Sequence, residues 1–413
     1  MKRHFPLLAT LVFIIINTLN AQEVFMAGMA RVNVTPEIPV RMSGYGNRDN
    51  PFSGVHDSIY ATAMALQIGD SRSVLVSADV VGFSHSFVDA IKEKIEKKTG
   101  ISGHDILVIA THNHGGPVTS VYSDDPTPAE EQYFEYLQEK LIQAVTEAVN
   151  NTEPARIGVG RGTCKMNINR RARHAEGGIW LGRNPDGPCD HQVTIIRLDD
   201  LNMEPIGSLV DWPCHGTVSG QDNTQITGEW PGSVARHIRE EVQIPVMITA
   251  GASADINPIY GPNSKFNDIE AIGQLVAEEA LNIFSKIDTE IPGELEIERA
   301  SVQAKGKKRS SSRLPGVSLD QAEDQTLRLV SLKVGNIVIA GISGELMTEI
   351  GGAVVGISPF KNTFVISHCD GNNGYLCTDA AYREGGYEPM VSKTMPGTSE
   401  LIQKNFKILF NKL

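Results

Sequence analysis

Along the chain, short apolar runs alternate with longer stretches in which apolar positions recur every three or four residues. Behind Thr127-Pro128-Ala129-Glu130, the residues Phe134, Leu137, Leu141, Ala144 and Ala148 step at helical spacing and predict one apolar helix face. The Thr and Glu three apart, with Pro at the first helical position, form a capping box that starts this helix. Ile269, Ile272, Val276, Ala280 and Ile283 predict a second helix, and a third runs from about Phe87 to Lys97 and stops before Gly100. Leu327 to Val334 and Ile337 to Ile342 meet at Gly335-Asn336 and predict a hairpin. Alternation of such elements indicates an α/β architecture of mixed β-sheets flanked by helices. No repeat and no long low-complexity linker interrupts it. The segment from Lys305 to Pro315, with Lys307, Lys308 and Arg309, reads as a solvated surface loop, and residues 22–413 read as a single domain.

The polar residues behind the apolar strands carry the chemistry. Ile106 to Ile109 leads into Thr111-His112-Asn113-His114, and Ile206 to Val210 into Asp211-Trp212-Pro213-Cys214-His215. Val246 to Ile248 leads to Ser253 and Asp255, Ile337 to Ile339 to Gly344-Glu345, and Phe364 to Ile366 to His368-Cys369-Asp370. In α/β folds ligands are held at strand C-terminal ends, so a metal site is expected there. His112 and His114 are two apart, and an extended backbone would project both from one face. Such a pair binds a metal together, or one binds while the other serves as acid or base with an unperturbed pKa near 6.5. His215 and Glu345 at other strand ends add the imidazole and carboxylate that suit zinc with an open coordination position. His85, His104 and His237 read as structural.

Composition narrows the class. With 41% hydrophobic and 21% charged residues in 413, the chain is that of a globular protein. Its 37 Lys+Arg against 49 Asp+Glu argue against sequence-independent nucleic-acid binding. Lys2 and Arg3, the apolar run Leu7 to Ile16 and Leu19-Asn20-Ala21 read as a signal peptide over 1–21, placing the mature protein in the periplasm or outside the cell. Its removal moves the formal charge from −12 to −14, since Lys2 and Arg3 go with it, and leaves no integral membrane segment. Five cysteines are too few for a disulfide framework; Cys369 and Cys377 could close a short loop, or could be buried free thiols. Arg170, Arg171 and Arg173 crowd three guanidinium groups into four positions, either paired with internal acids or able to fork onto a carboxylate or sulfate.

Several motifs, in order along the chain, resemble neutral ceramidases. These are Gly28-Met29-Ala30-Arg31-Val32-Asn33-Val34-Thr35-Pro36 with Ser43-Gly44-Tyr45, Gly54-Val55-His56-Asp57 and Ser77-Ala78-Asp79. They continue with Ala110-Thr111-His112-Asn113-His114-Gly115-Gly116-Pro117, Asn169-Arg170-Arg171, Gly344-Glu345 and Tyr375-Leu376-Cys377-Thr378. The resemblance is to the N-terminal catalytic domain alone, as a divergent member. It implies zinc held by His112, His215, Glu345 and Tyr375, with His114 beside it and a functional arginine at Arg170 or Arg171. A phenol of pKa about 10 becomes a ligand only beside a metal. The ceramidase serine of Gly-Asp-x-Ser-Pro is replaced, since Ala254-Asp255-Ile256-Asn257-Pro258 puts Asn257 there. An immunoglobulin-like domain follows in ceramidases, whereas this sequence ends at Leu413 soon after the Tyr375 motif.

These residues predict a zinc-dependent enzyme acting on a polar, anionic substrate such as an acidic oligosaccharide. In one reading zinc-activated water attacks an acyl carbon, with His114 as acid or base. In another, a zinc-assisted lyase or dehydratase removes a proton beside a uronic-acid carboxylate, taken by His114 or Tyr375. A true ceramidase and a non-catalytic zinc or glycan binder are the further alternatives.

Overall fold

The computed structural model describes residues 24–413 other than 47, 122, 124, 264 and 311–316. The signal-peptide reading therefore lies outside the described residues. Two sheets face each other, and helices cover both outer sides. The larger sheet has eight strands in the spatial order Val246–Thr249, Pro205–Asp211, Gln192–Asp200, Glu153–Thr163, Phe25–Asn33, Tyr60–Ile68, Ser71–Ala78, Ile106–Ala110. It is antiparallel in the middle and parallel at each edge pair. The second sheet runs Leu295–Lys307, Gln321–Val334, Ile337–Ile342, Asn362–Ile366, with its last pair parallel.

The continuous apolar runs of the sequence follow from this layering, because a strand covered on both faces has no polar side. In Ile106–Ala110, Leu107 and Ile109 face the second sheet, packing with Ile339, Phe364 and Ile366. Ile106, Val108 and Ala110 face the other way, onto the helices His85–Thr99 and Pro128–Asn150. Truncating such a fully buried side chain as Leu107 to Ala costs about 2–5 kcal/mol. The rest of the outer face lies under Glu229–Val242 and Phe266–Phe284. Thr348–Ile357 and Thr398–Phe410 cover the second sheet.

Local signals act as expected where the helices begin and end. Thr127 and Glu130 form the reciprocal capping box, and Gly100 closes its helix at φ 71°, a conformation glycine adopts without strain. The hairpin pairs Val334 with Ile337. The 305–315 segment departs from the surface-loop expectation. Its first residues complete the strand Leu295–Lys307, and Lys307 is buried with its ammonium donating to the Lys308 and Met390 carbonyls. Residues 311–316 lie outside the description. All five cysteines are free; Cys369 sits between the sheets and Cys377 beneath the outer helices, so they form no loop.

The segment 367–370 joins the strand ends that matter most. Ser367 N donates to Ala250 O at 2.9 Å, His368 N to Gly344 O at 3.1 Å and Asp370 N to Val108 O at 2.7 Å, while Ala110 N donates to His368 O at 3.2 Å. The ends of strands from both sheets are thereby held around one point. No helix among the described residues is long and apolar enough to cross a membrane.

Candidate metal centre and cavity

Three imidazoles and a carboxylate converge beyond those strand ends. One ring nitrogen from each of His112, His114 and His215 lies within 4.8 Å of the others, all buried. His112 Nδ1 donates to Val81 O at 2.8 Å, and His215 Nδ1 faces the carbonyls of Ser253 at 2.7 Å and Ile256 at 3.0 Å. These bonds fix the tautomers and leave each Nε2 lone pair turned inward, the arrangement usual for metal-ligating histidine. Glu345 Oε2 lies 3.5 Å from His112 Nε2 and 3.4 Å from His215 Nε2, yet is buried without a hydrogen-bond partner among the described residues. A buried carboxylate oxygen facing two imidazole nitrogens whose protons sit on the opposite ring nitrogen is a poor arrangement by itself and a good one around a divalent cation. The donor set fits a metal.

Electrostatics agree. Burial, then the charge of Arg170, lowers the His215 pKa to about 4, so its imidazole is neutral at physiological pH. Burial alone would raise the Glu345 carboxyl, but the surrounding imidazoles, His112 first, hold it well below the usual carboxylate range. Tyr375 pairs in parallel register with Glu345, placing it at the same edge. Burial, then the Glu345 charge, pushes its phenol well above the ordinary value.

His114 differs from the other two. Its Nε2 is 3.1 Å from His112 Nε2, but its Nδ1 is buried with no hydrogen-bond partner among the described residues. The pair does not converge through strand pleating, because His112 has a φ of 58° and the chain turns there. The shared-face expectation is thus replaced by a left-handed kink that brings the rings together. Burial and the neighbouring imidazoles push the His114 pKa well below 6.5, so it rests neutral, as a proton acceptor. Gly44, at φ 92°, lies against this ring: a Cβ there would sit 2.4 Å from His114 Nδ1.

A cavity of about 820 Å³ opens over the cluster and is lined by His112, His114, Glu345, Tyr375, Arg170 and Asn257 among others. Arg170 donates through Nη1 to Asn257 Oδ1 at 3.3 Å and reaches His215 Nε2 at 3.2 Å, while its Nη2 is buried without a hydrogen-bond partner among the described residues. Glu388 grips both adjacent arginines, taking Arg170 Nε at 2.8 Å and Arg171 Nη1 at 2.7 Å. Arg171 also bonds Glu384 and the Gly385 carbonyl, and Arg173 is 79% exposed beside Glu384. The structure does not bring Arg171 or Arg173 to the cavity.

Other cations take that place. Arg48 donates to the carbonyls of Ser43, His114, Gly220 and Gln221, and Arg183 to those of Ile259 and Gly261. Both line the cavity, and neither makes an ion pair among the described residues. Six cationic side chains line the cavity against two acidic ones, Asp49 and Glu345. No sequence pattern marks Arg48 or Arg183, whose partners are backbone carbonyls as far away as Gln221. His368 was visible only as a residue following a strand, yet its ring stacks on His112 at 3.9 Å between centroids and 13° between planes.

A cluster of imidazole and carboxylate donors at the strand ends of an α/β sandwich is a candidate metal site. The family model described as neutral/alkaline non-lysosomal ceramidase, N-terminal, matches residues 25–253, and the chain belongs to that family. The neutral ceramidase of Oryza sativa subsp. japonica is 24% identical over 267 residues, 62% of this chain and 34% of that protein. That of Drosophila melanogaster is 23% identical over 233 residues, 52% of this chain and 32% of that one. The matched stretches thus span about a third of these relatives' length. Among solved structures, the neutral ceramidase from Pseudomonas aeruginosa superposes with a TM-score of 0.80 at 17% identity, covering 94% of this chain and 74% of that one. A ceramidase complexed with C2 gives 0.78 at 18% identity, over 94% and 75%. These likenesses show the shared fold.

Proposed function

We propose that residues 22–413 form one catalytic domain of a zinc-dependent, ceramidase-like hydrolase that works in the periplasm or outside the cell. The observation that carries the metal is Glu345 Oε2, buried between the Nε2 atoms of His112 and His215 without a hydrogen-bond partner among the described residues. These three residues, with Tyr375, would hold the zinc. When bound, zinc supplies Lewis acidity, polarising an acyl oxygen and making water nucleophilic near neutral pH. His114, neutral at rest, accepts the proton of the attacking water and returns it to the leaving group. Arg170, gripped by Glu388 with Nη2 bare, orients the substrate, and Asn257 lies beside it at the serine position.

The substrate is polar and anionic, such as an acidic oligosaccharide. Arg48 and Arg183 support this, because guanidinium groups held on carbonyls keep their charge available to a ligand. Ceramide, named for the relatives, is the competing substrate. Asn257 favours a second reaction, elimination, which has no need of a second nucleophile. There His114 or Tyr375 takes the proton beside a carboxylate held by Arg170.

Incubating the zinc-loaded protein with uronic-acid oligosaccharides and with ceramide, followed by mass spectrometry, separates these readings. Hydrolysis adds one water and elimination removes one or cleaves without it. Unchanged substrates would leave a zinc or glycan binder. A protein fully active after chelation would overturn the metal.

A further inference from the structure

We propose that His368 is a positioning residue for the metal centre, fixing the plane of His112 by stacking and so setting the affinity of the site. The inference rests on the metal-dependent reading above. It begins from an asymmetry between two imidazoles. His215 Nδ1 faces two carbonyls, Ser253 and Ile256, which leave its ring little freedom. His112 Nδ1 has one, Val81 O, and a ring held at one atom still rocks about that bond. The missing restraint is the parallel ring of His368, 3.9 Å away.

The backbone places His368 where it governs more than its own position. Its N–H donates to the carbonyl preceding Glu345, and its carbonyl accepts from Ala110, two residues before His112. Its neighbour Ser367 bonds Ala250, three residues before the Ser253 carbonyl that orients His215. One residue is thus tied to the segments carrying Glu345 and His112, and its neighbour to the one behind His215. The arrangement is kept against opposing forces. His112 and His368 both have positive φ, 58° and 54°, uncommon for residues other than glycine. Both ring nitrogens of His368 are buried without a partner among the described residues, so hydrogen bonding does not hold the ring. Strained backbone and unsatisfied buried groups concentrate where a site needs a fixed geometry.

The test uses the full chain and three proteins: unaltered, His368→Ala and His368→Phe. Phenylalanine keeps the flat face and discards the nitrogens. Zinc affinity is measured by chelator competition, and cobalt is substituted to read ligand geometry from its visible spectrum, with the melting of metal-free protein followed alongside. Orienting partners of metal ligands typically contribute 10- to 100-fold in affinity, so His368→Ala should bind zinc roughly that much more weakly and show an altered cobalt spectrum. His368→Phe should stay within about threefold of the unaltered protein, with its spectrum. Unchanged affinity and spectrum in His368→Ala, or equal loss in both variants, would overturn the stacking role. Should His368→Ala fail to fold, a weakened His368→Phe alone does so. If the unaltered protein binds neither metal, the metal reading falls, and this inference with it.

Discussion

The floor of the cavity and its mouth hold their charged groups in opposite ways. At the floor, backbone carbonyls orient His112 and His215 while Glu345 Oε2 has no hydrogen-bond partner among the described residues, so rigid donors converge on one point. At the mouth, Arg48 and Arg183 rest directly on carbonyls, satisfied in hydrogen bonding but not in charge. Between them Arg170 combines both conditions, with Nε on a carboxylate and Nη2 bare. Under the proposed function the difference separates roles: the floor would fix atoms where bonds change, whereas the mouth would set which charge enters.

Replacing His215 with Ala gives the largest effect and tests the floor. Metal content and turnover should both vanish, as measured by elemental analysis and assay, while the protein still folds; retained metal would remove His215 from the donor set. His114→Ala should keep the metal and lose about 100- to 10,000-fold in single-turnover rate. A near-normal rate in folded, metal-loaded protein would end its role in proton transfer.

Arg171→Ala probes the layer behind the wall. It leaves buried Glu388 with one partner, and breaking a buried ion pair costs about 3–5 kcal/mol, read as a lowered urea midpoint. The folded fraction should still bind anionic substrate normally, since Arg171 does not line the cavity; weakened binding would place it back at the site.

Beneath the floor, burial raises the Asp79 carboxyl to about 6 while it accepts from Tyr60 N. A raised carboxyl favours folding below its unfolded pKa of about 3.9 and loses that contribution as pH rises to about 6. Asp79→Asn should therefore gain stability relative to the unaltered protein across that window, by up to about 3 kcal/mol, and run parallel to it above. Parallel melting curves from pH 4 to 7 would contradict the assignment. The smallest effect belongs to the mouth: Arg183→Ala should raise KM for an anionic substrate severalfold with kcat unchanged, and added salt should shrink the difference. A lowered kcat at unchanged KM would move Arg183 from the mouth to the floor.

These two regions were unequally legible in the sequence. Strands covered on both faces announce themselves as apolar runs, and the polar residue ending each run pointed to His112, His215 and Glu345. Tyr375 came through family resemblance, because a tyrosine in a loop carries no pattern of its own. Adjacent arginines look alike in a string, and only the fold shows that Arg170 lines the cavity and Arg171 does not. Arg48 and Glu388 were invisible because their partners are far away in sequence, Gln221 and Arg170 respectively. The kink at His112 was invisible for a local reason, since histidine is not the residue that φ 58° suggests.

The candidate ligands also divide between the sheets: His112 and His215 follow strands of the larger one, while Glu345 follows a strand of the smaller and pairs with Tyr375 in a separate two-stranded ladder. The family match over 25–253 contains the histidines and stops before Glu345 and Tyr375. Neither portion can assemble the centre alone. A folding chain would acquire its full grip on metal only after the sheets have met, making metal capture a late event and a reporter of their docking. Once bound, the ion would act as a rivet across the sandwich, and its removal would loosen the fold first along that seam.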